Sequence, residues 1–534
     1  MRVAVRRVLI YTHRWLGICG CVLFIIWFAS GIVMMYARMP QLTADERLAH
    51  LAPVDLSVAR VGIADAARGQ SIDRVVVSML AGRPVYRFLI RGAWTTVFAD
   101  TGEPLTGVDR ERSLDLARRW APEHASTIRY DAYLTDADQW TLSSEVRRQM
   151  PMHRIALGDA DDSYIYIPER IGEPVLTTTA RERRWAYAGA VLHWIYFTPL
   201  RRQSAAWAQL IIWSSIAGCG LCVSGLVWGV WRYSPSSRYR LKRERSHSPY
   251  AGLMRWHHYA GLIFGVISFT WVFSGLLSMD PWDWSPGTGP TRQQRETLAG
   301  GPLNIESVTL AWLRHQFDDA RLKPGAPANR AGSVEAQGFS RTIREIEIVQ
   351  FAGEPFVVSR DSPVRFDSDT LLAAARAAMP GVPVDEATWL DDYDAYYYDR
   401  DRERALPVLR VRFGDAARTW LYLDPRRGAI VRKEERLSRI NRWLYHGLHS
   451  LDFPFLYYRR PLWDVVVIVL SLGGLVLSAT TVTAAVHRLR RQARERAKSF
   501  VVQAFRPPRQ RGCRAGDPGP AVSGGPEGPH YKRP

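Results

Sequence analysis

Four stretches of this chain carry no Asp, Glu, Lys, Arg or His over the length a helix needs to cross a bilayer: Leu16 to Tyr36, Ala205 to Trp231, Tyr259 to Met279 and Val465 to Val486. About 20 apolar residues suffice to cross roughly 30 Å of hydrocarbon. In lipid such a segment must satisfy its own backbone polar groups, which a helix does. The expected fold class is therefore an α-helical integral membrane protein, its four transmembrane helices closed into a bundle.

Charge orients the helices. The chain has 534 residues and a formal net charge of +19, from 71 basic and 52 acidic side chains. Segments 1–15, 232–256 and 487–534 together hold 23 basic and 4 acidic residues, while the long regions 38–204 and 280–464 hold 48 of each sign. By the positive-inside rule both termini and the short loop face the cytoplasm and the long regions are exported. The spans then read 16–37, 205–231, 257–279 and 465–486. The charge is a juxtamembrane topology signal, not a patch on a folded domain, so nucleic acid is not expected as a partner. The lipid bilayer is. The first apolar run is long, and Met34 to Pro40 offers no small-x-small cleavage site, so it reads as a retained helix.

Cys19, Cys21, Cys219 and Cys222 lie in spans and Cys513 lies in the tail, so no disulfide is expected in the exported regions. Cys219-Gly-Leu-Cys222 reads as small residues for helix packing. The basic tail 487–534, rich in Pro, Gly and Arg after Phe505, reads as disordered.

The chain repeats itself. His13-x-x-x-Gly17 followed by Ser30-Gly31 recurs at identical spacing as His257-x-x-x-Gly261 followed by Ser274-Gly275. In the exported regions Tyr130-Asp-Ala-Tyr133-x-x-Asp136 returns as Tyr393-Asp-Ala-Tyr396-x-x-Asp399. Pro151-x-x-Arg154-x-x-x-Gly158-Asp159, followed by Tyr164-x-Tyr166, returns as Pro407-x-x-Arg410-x-x-x-Gly414-Asp415, followed by Trp420-x-Tyr422. Each half reads helix, exported domain, helix, and both enter from the same side, as in a parallel internal duplication. Alternating runs at Ser163 to Ile167 and Thr419 to Leu423 read as strands, and Ser368 to Arg376 and Arg112 to Arg119 as helices. Each exported domain is thus expected to be an α+β module.

Histidine placement carries the chemistry. His13 and His257 stand at equivalent cytoplasmic entrances of helices one and three, and His193 and His449 at equivalent positions outside helices two and four. Two symmetric pairs, one near each face, are what bis-imidazole haems in a bundle require, since haem iron takes two axial ligands. The expected cofactor is one or two haem b, with the iron bound through these four histidines. Span glycines (Gly17, Gly20, Gly31, Gly218, Gly220, Gly261, Gly265, Gly473, Gly474) are expected to leave room for a flat macrocycle. His193 precedes the second span by too much for a straight helix, so the chain must bend back, with Pro199, Pro454 and Pro461 permitting the break. His446, His258 and His487 are second-choice ligands. His50, His124, His153, His247, His315 and His530 read as surface residues. Arg201-Arg202 and Arg459-Arg460 suit lipid phosphates or haem propionates.

His13-Arg-Trp-Leu-Gly17 and its repeat at His257, Leu-His at 192–193 and 448–449, Arg442 to Leu451, and Arg459-Arg-Pro-Leu-Trp463 resemble the PepSY-associated transmembrane proteins, also called iron-regulated membrane proteins. The resemblance covers roughly residues 8–490. It implies PepSY-like exported domains, a location in the inner (cytoplasmic) membrane with large periplasmic domains, and, as in some members, haem-dependent release of iron from ferric siderophores. The short inner segments are too small for a nucleotide-binding domain with a Gly-rich turn, so electrons are expected from a quinol or a separate donor protein. The reading is an electron-transfer protein reducing ferric siderophore or other ferric iron. Its main alternative is a PepSY-type regulatory or binding protein, restraining a peptidase or sensing envelope state, without redox activity. An importer without redox chemistry would place ionisable residues along a path within the spans, and the four apolar stretches hold none.

Overall fold

The computed structural model describes residues 2–241, 244–322, 343–360, 362–399 and 402–504. Among them four helices are long and apolar enough to cross a membrane: Arg2–Met34, Ser204–Arg232, Leu253–Leu277 and Leu462–Ala504, the first to fourth long helices. The first begins at Arg2 and not near Leu16, because Arg favours a helix almost as well as Leu does. The fourth continues through residues 487–504, where the sequence suggests disorder. No Gly or Pro interrupts 487–506, and Arg491 Nε donates to Glu495 Oε1 one turn on, at 2.8 Å. Residues 505–534 lie outside the described residues. The chain forms two units, Met1–Val482 and Thr483–Pro534, whose boundary falls within the fourth helix.

Each long region folds into an antiparallel four-stranded sheet. The first sheet is Arg129–Leu134, Met152–Ala156, Tyr164–Pro168 and Leu176–Thr178; the second is Val384–Leu390, Val408–Phe413, Trp420–Asp424 and Ala429–Glu434. A helix precedes each sheet, Arg110–Trp120 capped by Asp109 and Ser368–Ala378 capped by Asp367. Leu116, Ala117 and Trp120 pack on Ile155, Ile165 and Ile167 in the first, and Leu371 and Ala375 pack on Leu409, Val411 and Leu421 in the second. The gapless repeat from Pro151 and Pro407 thus falls on matching strands.

The Tyr-Asp-Ala-Tyr resemblance does not. Tyr130 to Tyr133 lie on strand Arg129–Leu134, whereas Tyr393 to Tyr396 lie in the loop after the corresponding strand, Val384–Leu390. Side-chain roles give the true register. Asp138 Oδ2 accepts from Tyr166 Oη (3.0 Å) and Arg154 Nη1 (2.8 Å), and Asp394 Oδ2 accepts from Tyr422 Oη (2.9 Å) and Arg410 Nη1 (2.9 Å). Asp394 corresponds to Asp138, not to Asp131.

The long regions 38–204 and 280–464 are also not separate domains. A five-stranded sheet runs Glu354–Val358, Glu345–Phe351, Arg74–Leu80, Arg83–Ile90, Ala93–Phe98, with its centre strands drawn from different halves. Val75 pairs with Ile348, Val76 with Glu347 and Val77 with Ile346. Each half contributes a hairpin whose tight turn, Ala81-Gly82 or Ala352-Gly353, has positive φ at both residues, the geometry that matches strand twist. Either hairpin alone would leave an edge of unpaired backbone groups. Counting from the two turns makes Val76 and Glu347 equivalent, so the junction is centred on a pair of equivalent residues facing each other. Arg47 spans the halves as well, donating to Glu173 and to Glu345 at 2.7 and 2.8 Å.

Candidate functional site

Matching segments deliver the outer histidines. A helix opened by the Thr179–Glu182 capping box runs from Ala180 through a π turn, Tyr187–Val191, to Trp194. Its counterpart runs from Arg436 through a π turn, Trp443–Gly447, to Ser450. A π turn inserts an extra residue and is frequent at functional sites. The chain reverses at left-handed Ile195 (φ 54°) and Leu451 (φ 50°); Pro199 and Pro454 come later, in the short helices Thr198–Arg202 and Pro454–Tyr457. The reversal sets both imidazoles among the outer ends of the long helices. Their ring centres are 6.0 Å apart with planes at 74°.

The inner histidines meet in the same way. His13 on the first long helix and His257 on the third have ring centres 6.1 Å apart and planes at 48°. From His13 to Trp27, at the level of the outer pair, the helix rises roughly 21 Å.

Hydrogen-bond bookkeeping fixes the tautomer of all four rings. His193 Nδ1 lies 3.1 Å from both Trp27 O and Ser30 Oγ, and His449 Nδ1 lies 3.2 Å from Trp271 O and 3.0 Å from Ser274 Oγ. His13 Nδ1 lies 3.2 Å from Leu221 O, and His257 Nδ1 lies 2.9 Å from Thr480 Oγ1. A carbonyl can only accept. The hydroxyls have already given their protons to helix carbonyls: Ser30 to Ile26 O (2.5 Å), Ser274 to Trp271 O (2.9 Å) and Thr480 to Leu477 O (2.7 Å). Each imidazole therefore donates from Nδ1–H, and in the neutral ring Nε2 keeps its lone pair. Among the described residues none of the four Nε2 atoms has a hydrogen-bond partner. A metal-ligating histidine characteristically has its other nitrogen anchored in this manner.

The outer pair opens onto a cavity of about 1030 Å³. Its inner end is apolar, bounded by Phe24, Phe28 and Trp271; its other end carries Tyr398, Arg404 and Arg432 of the second long region. His193 and His449 are both withdrawn from bulk water yet present surface to this space.

The second-choice histidines separate cleanly. His258 has both nitrogens engaged, Nδ1 with Ser248 Oγ and Nε2 with Gly229 O, each at 2.8 Å, so it has no free lone pair. His446 lines the cavity against Tyr445, with ring centres 4.4 Å apart. Its side chain is exposed, and its ring contact is with Tyr445, while His449 pairs with His193. His487 belongs to the second unit. His153, read from sequence as a surface residue, is buried on its strand, with Nδ1 3.0 Å from Tyr130 Oη and Nε2 2.5 Å from Val108 O. His50 stacks on Trp120. His530 lies outside the described residues. No group of three or more His, Cys, Asp or Glu among the described residues converges on one point.

Several span glycines are filled, against expectation. A Cβ at Gly473 or Gly474 would meet Phe264 or Phe28 at 2.3 or 2.5 Å, and one at Gly265 would meet Leu226 at 2.8 Å, so they seat neighbouring helices. Arg202 donates to Ala137 O and pairs with Asp136, and Arg460 pairs with Asp464; protein groups already occupy both. Gly225 is a position sequence reasoning missed: a Cβ there would lie 2.6 Å from His13 Cε1. Trp27 and Trp271 were missed as well, although they stand at the same spacing before the Ser-Gly pairs. The sequence matches no model of a known protein family and no curated protein.

Proposed function

We propose that this chain, built by internal duplication, is a haem-binding electron-transfer protein of the inner membrane. It passes electrons outward to ferric iron, as the resemblance to the PepSY-associated transmembrane proteins implies. The carrying observation is the pair of facing imidazoles found twice, each ring anchored through Nδ1. Two imidazoles sharing one metal, each bonded at about 2.0 Å, have nitrogens about 4 Å and ring centres roughly 6 Å apart; the two pairs stand at 6.0 and 6.1 Å. Two axial ligands are what haem iron needs beyond its macrocycle. The cavity beside the outer pair supports the same reading.

His13 and His257 would hold one haem, His193 and His449 the other. Bound there, haem supplies an iron that takes up and releases single electrons. The chain does the rest. Ser30, Ser274, Thr480 and the carbonyls of Trp27, Leu221 and Trp271 fix ring orientation and strengthen the imidazoles as donors. The inner pair is partly buried between the helices, and the cavity opens the outer pair toward the exported side.

The test is ferric reduction across a bilayer. Protein reconstituted in vesicles containing a quinol is expected to produce ferrous iron from an external ferric chelate. His193→Ala and His449→Ala should abolish that production. Haem-loaded protein that reduces no ferric chelate under any quinol would contradict the proposal.

A further inference from the structure

Between the two imidazole pairs the bundle is closed by aromatic rings. Phe24 and Phe28 stand on the first long helix between His13 and Ser30, and Trp271 stands on the third between His257 and Ser274. Ring centres are 5.8 Å apart for Phe24 and Trp27, 6.2 Å for Phe24 and Phe28, and 5.8 Å for Phe28 and Trp271. Phe24 and Phe28 are buried, with Val272 beside them.

The other two long helices make room for these rings with glycine. A Cβ at Gly218 would lie 3.3 Å from Phe24, and one at Gly474 would lie 2.5 Å from Phe28. Gly218 sits between Leu221, whose carbonyl holds His13, and Ile211 at the cavity; Gly474 sits between Thr480 and Trp463. All four helices therefore meet at one level. This level is also the floor of the cavity, which Phe24, Trp27, Phe28 and Trp271 line from below.

We propose that this aromatic layer carries electrons from the inner site to the outer one while keeping the water of the cavity away from the inner pair. The proposal rests on the haem reading above. In each transfer the inner site loses one electron and the outer site gains it, with no bond made and no proton moved. A quinol upstream supplies two such electrons, becoming a quinone and releasing two protons. Tunnelling falls off far more steeply across a void than across packed atoms, and protein interiors are packed as densely as organic crystals. Rings in edge and tilted contact, seated on glycines, pack the stretch of the path that borders the outer site, which begins roughly 16 Å of helix rise beyond His13. Removing part of a ring leaves a cavity that its neighbours close only partly.

The experiment follows reoxidation of the quinol-reduced holoprotein by excess ferric chelate, at the haem absorption bands. The outer site reacts directly, giving a first phase; the inner site must discharge through the layer, giving a second. In Phe24→Leu and Phe28→Leu the second phase should slow by roughly an order of magnitude. The first phase, the haem content per chain and the resting spectrum should be unchanged, and Phe24→Tyr, which keeps the ring, should retain the native rate. Native second-phase rates in both leucine variants at full haem content would overturn the layer's role while leaving the haem reading intact. A native protein that binds no haem would remove the parent reading and this one with it.

Discussion

At the scale of single residues, the site depends on atoms that set the direction of an imidazole. Gly225 and Gly275 make the point testable. A Cβ at Gly225 would lie 2.6 Å from His13 Cε1, closer than real contacts allow, whereas one at Gly275 would lie 3.7 Å from His449 Cε1, an ordinary contact. Alanine is otherwise favoured over glycine in a helix by about 1 kcal/mol, so neither change should harm the helix. Gly225→Ala is expected to lose the inner haem and keep the outer one, and Gly275→Ala to keep both, as read from haem per chain. Equal loss or equal retention would show that the ring positions are wrong. The four histidines were legible because the repeat put them in register. Gly225, Leu221 and Thr480 were not, because they hold the inner rings from the second and fourth helices, and only packing reveals which turn of one helix faces a given ring of another.

At the scale of elements, the long helices were readable as spans but not in extent. Lipid demands apolar side chains, so the apolar run marks the membrane and not the helix; Arg2 to Arg14 and the residues after Val486 are equally good helix formers. The segments bearing His193 and His449 were less legible. The need for a reversal followed from length alone, but a π turn has no side-chain signature. The residues that make the reversal, Ile195 and Leu451, adopt a left-handed conformation that ordinary side chains seldom take. Prolines nearby were the conspicuous candidates and serve instead in the next short helices. The Tyr-Asp-Ala-Tyr match shows the converse error: four identical letters fell on different elements, while the role of Asp138 passed to Asp394 in a looser sequence context.

At the scale of the whole chain, the halves are joined by a sheet that neither completes alone. Hydrophobic alternation announces the strands but cannot say which half supplies the neighbour. Glu347, at the junction, accepts from Arg74 Nε at 2.6 Å and from Arg427 Nη1 at 2.6 Å. Burial pushes its carboxyl upward, but the two guanidiniums outweigh that and hold it below its usual value of 4.5. The ionised form is thus favoured by folding. Its contribution is complete above pH 4.5 and is lost as pH falls through the lower folded value. Glu347→Gln is expected to reduce the steepness with which the melting temperature falls below that pH; identical slopes would show that the junction is not held by this charge.

The central claim is that four histidines bind two haems. Haem per chain and the reduced visible spectrum of the purified protein test it most directly. The account predicts two haems with sharp α and β bands, falling to one in His13→Ala or His257→Ala, with the outer haem spared. A colourless protein after expression in excess haem, or full haem content in both variants, would contradict it.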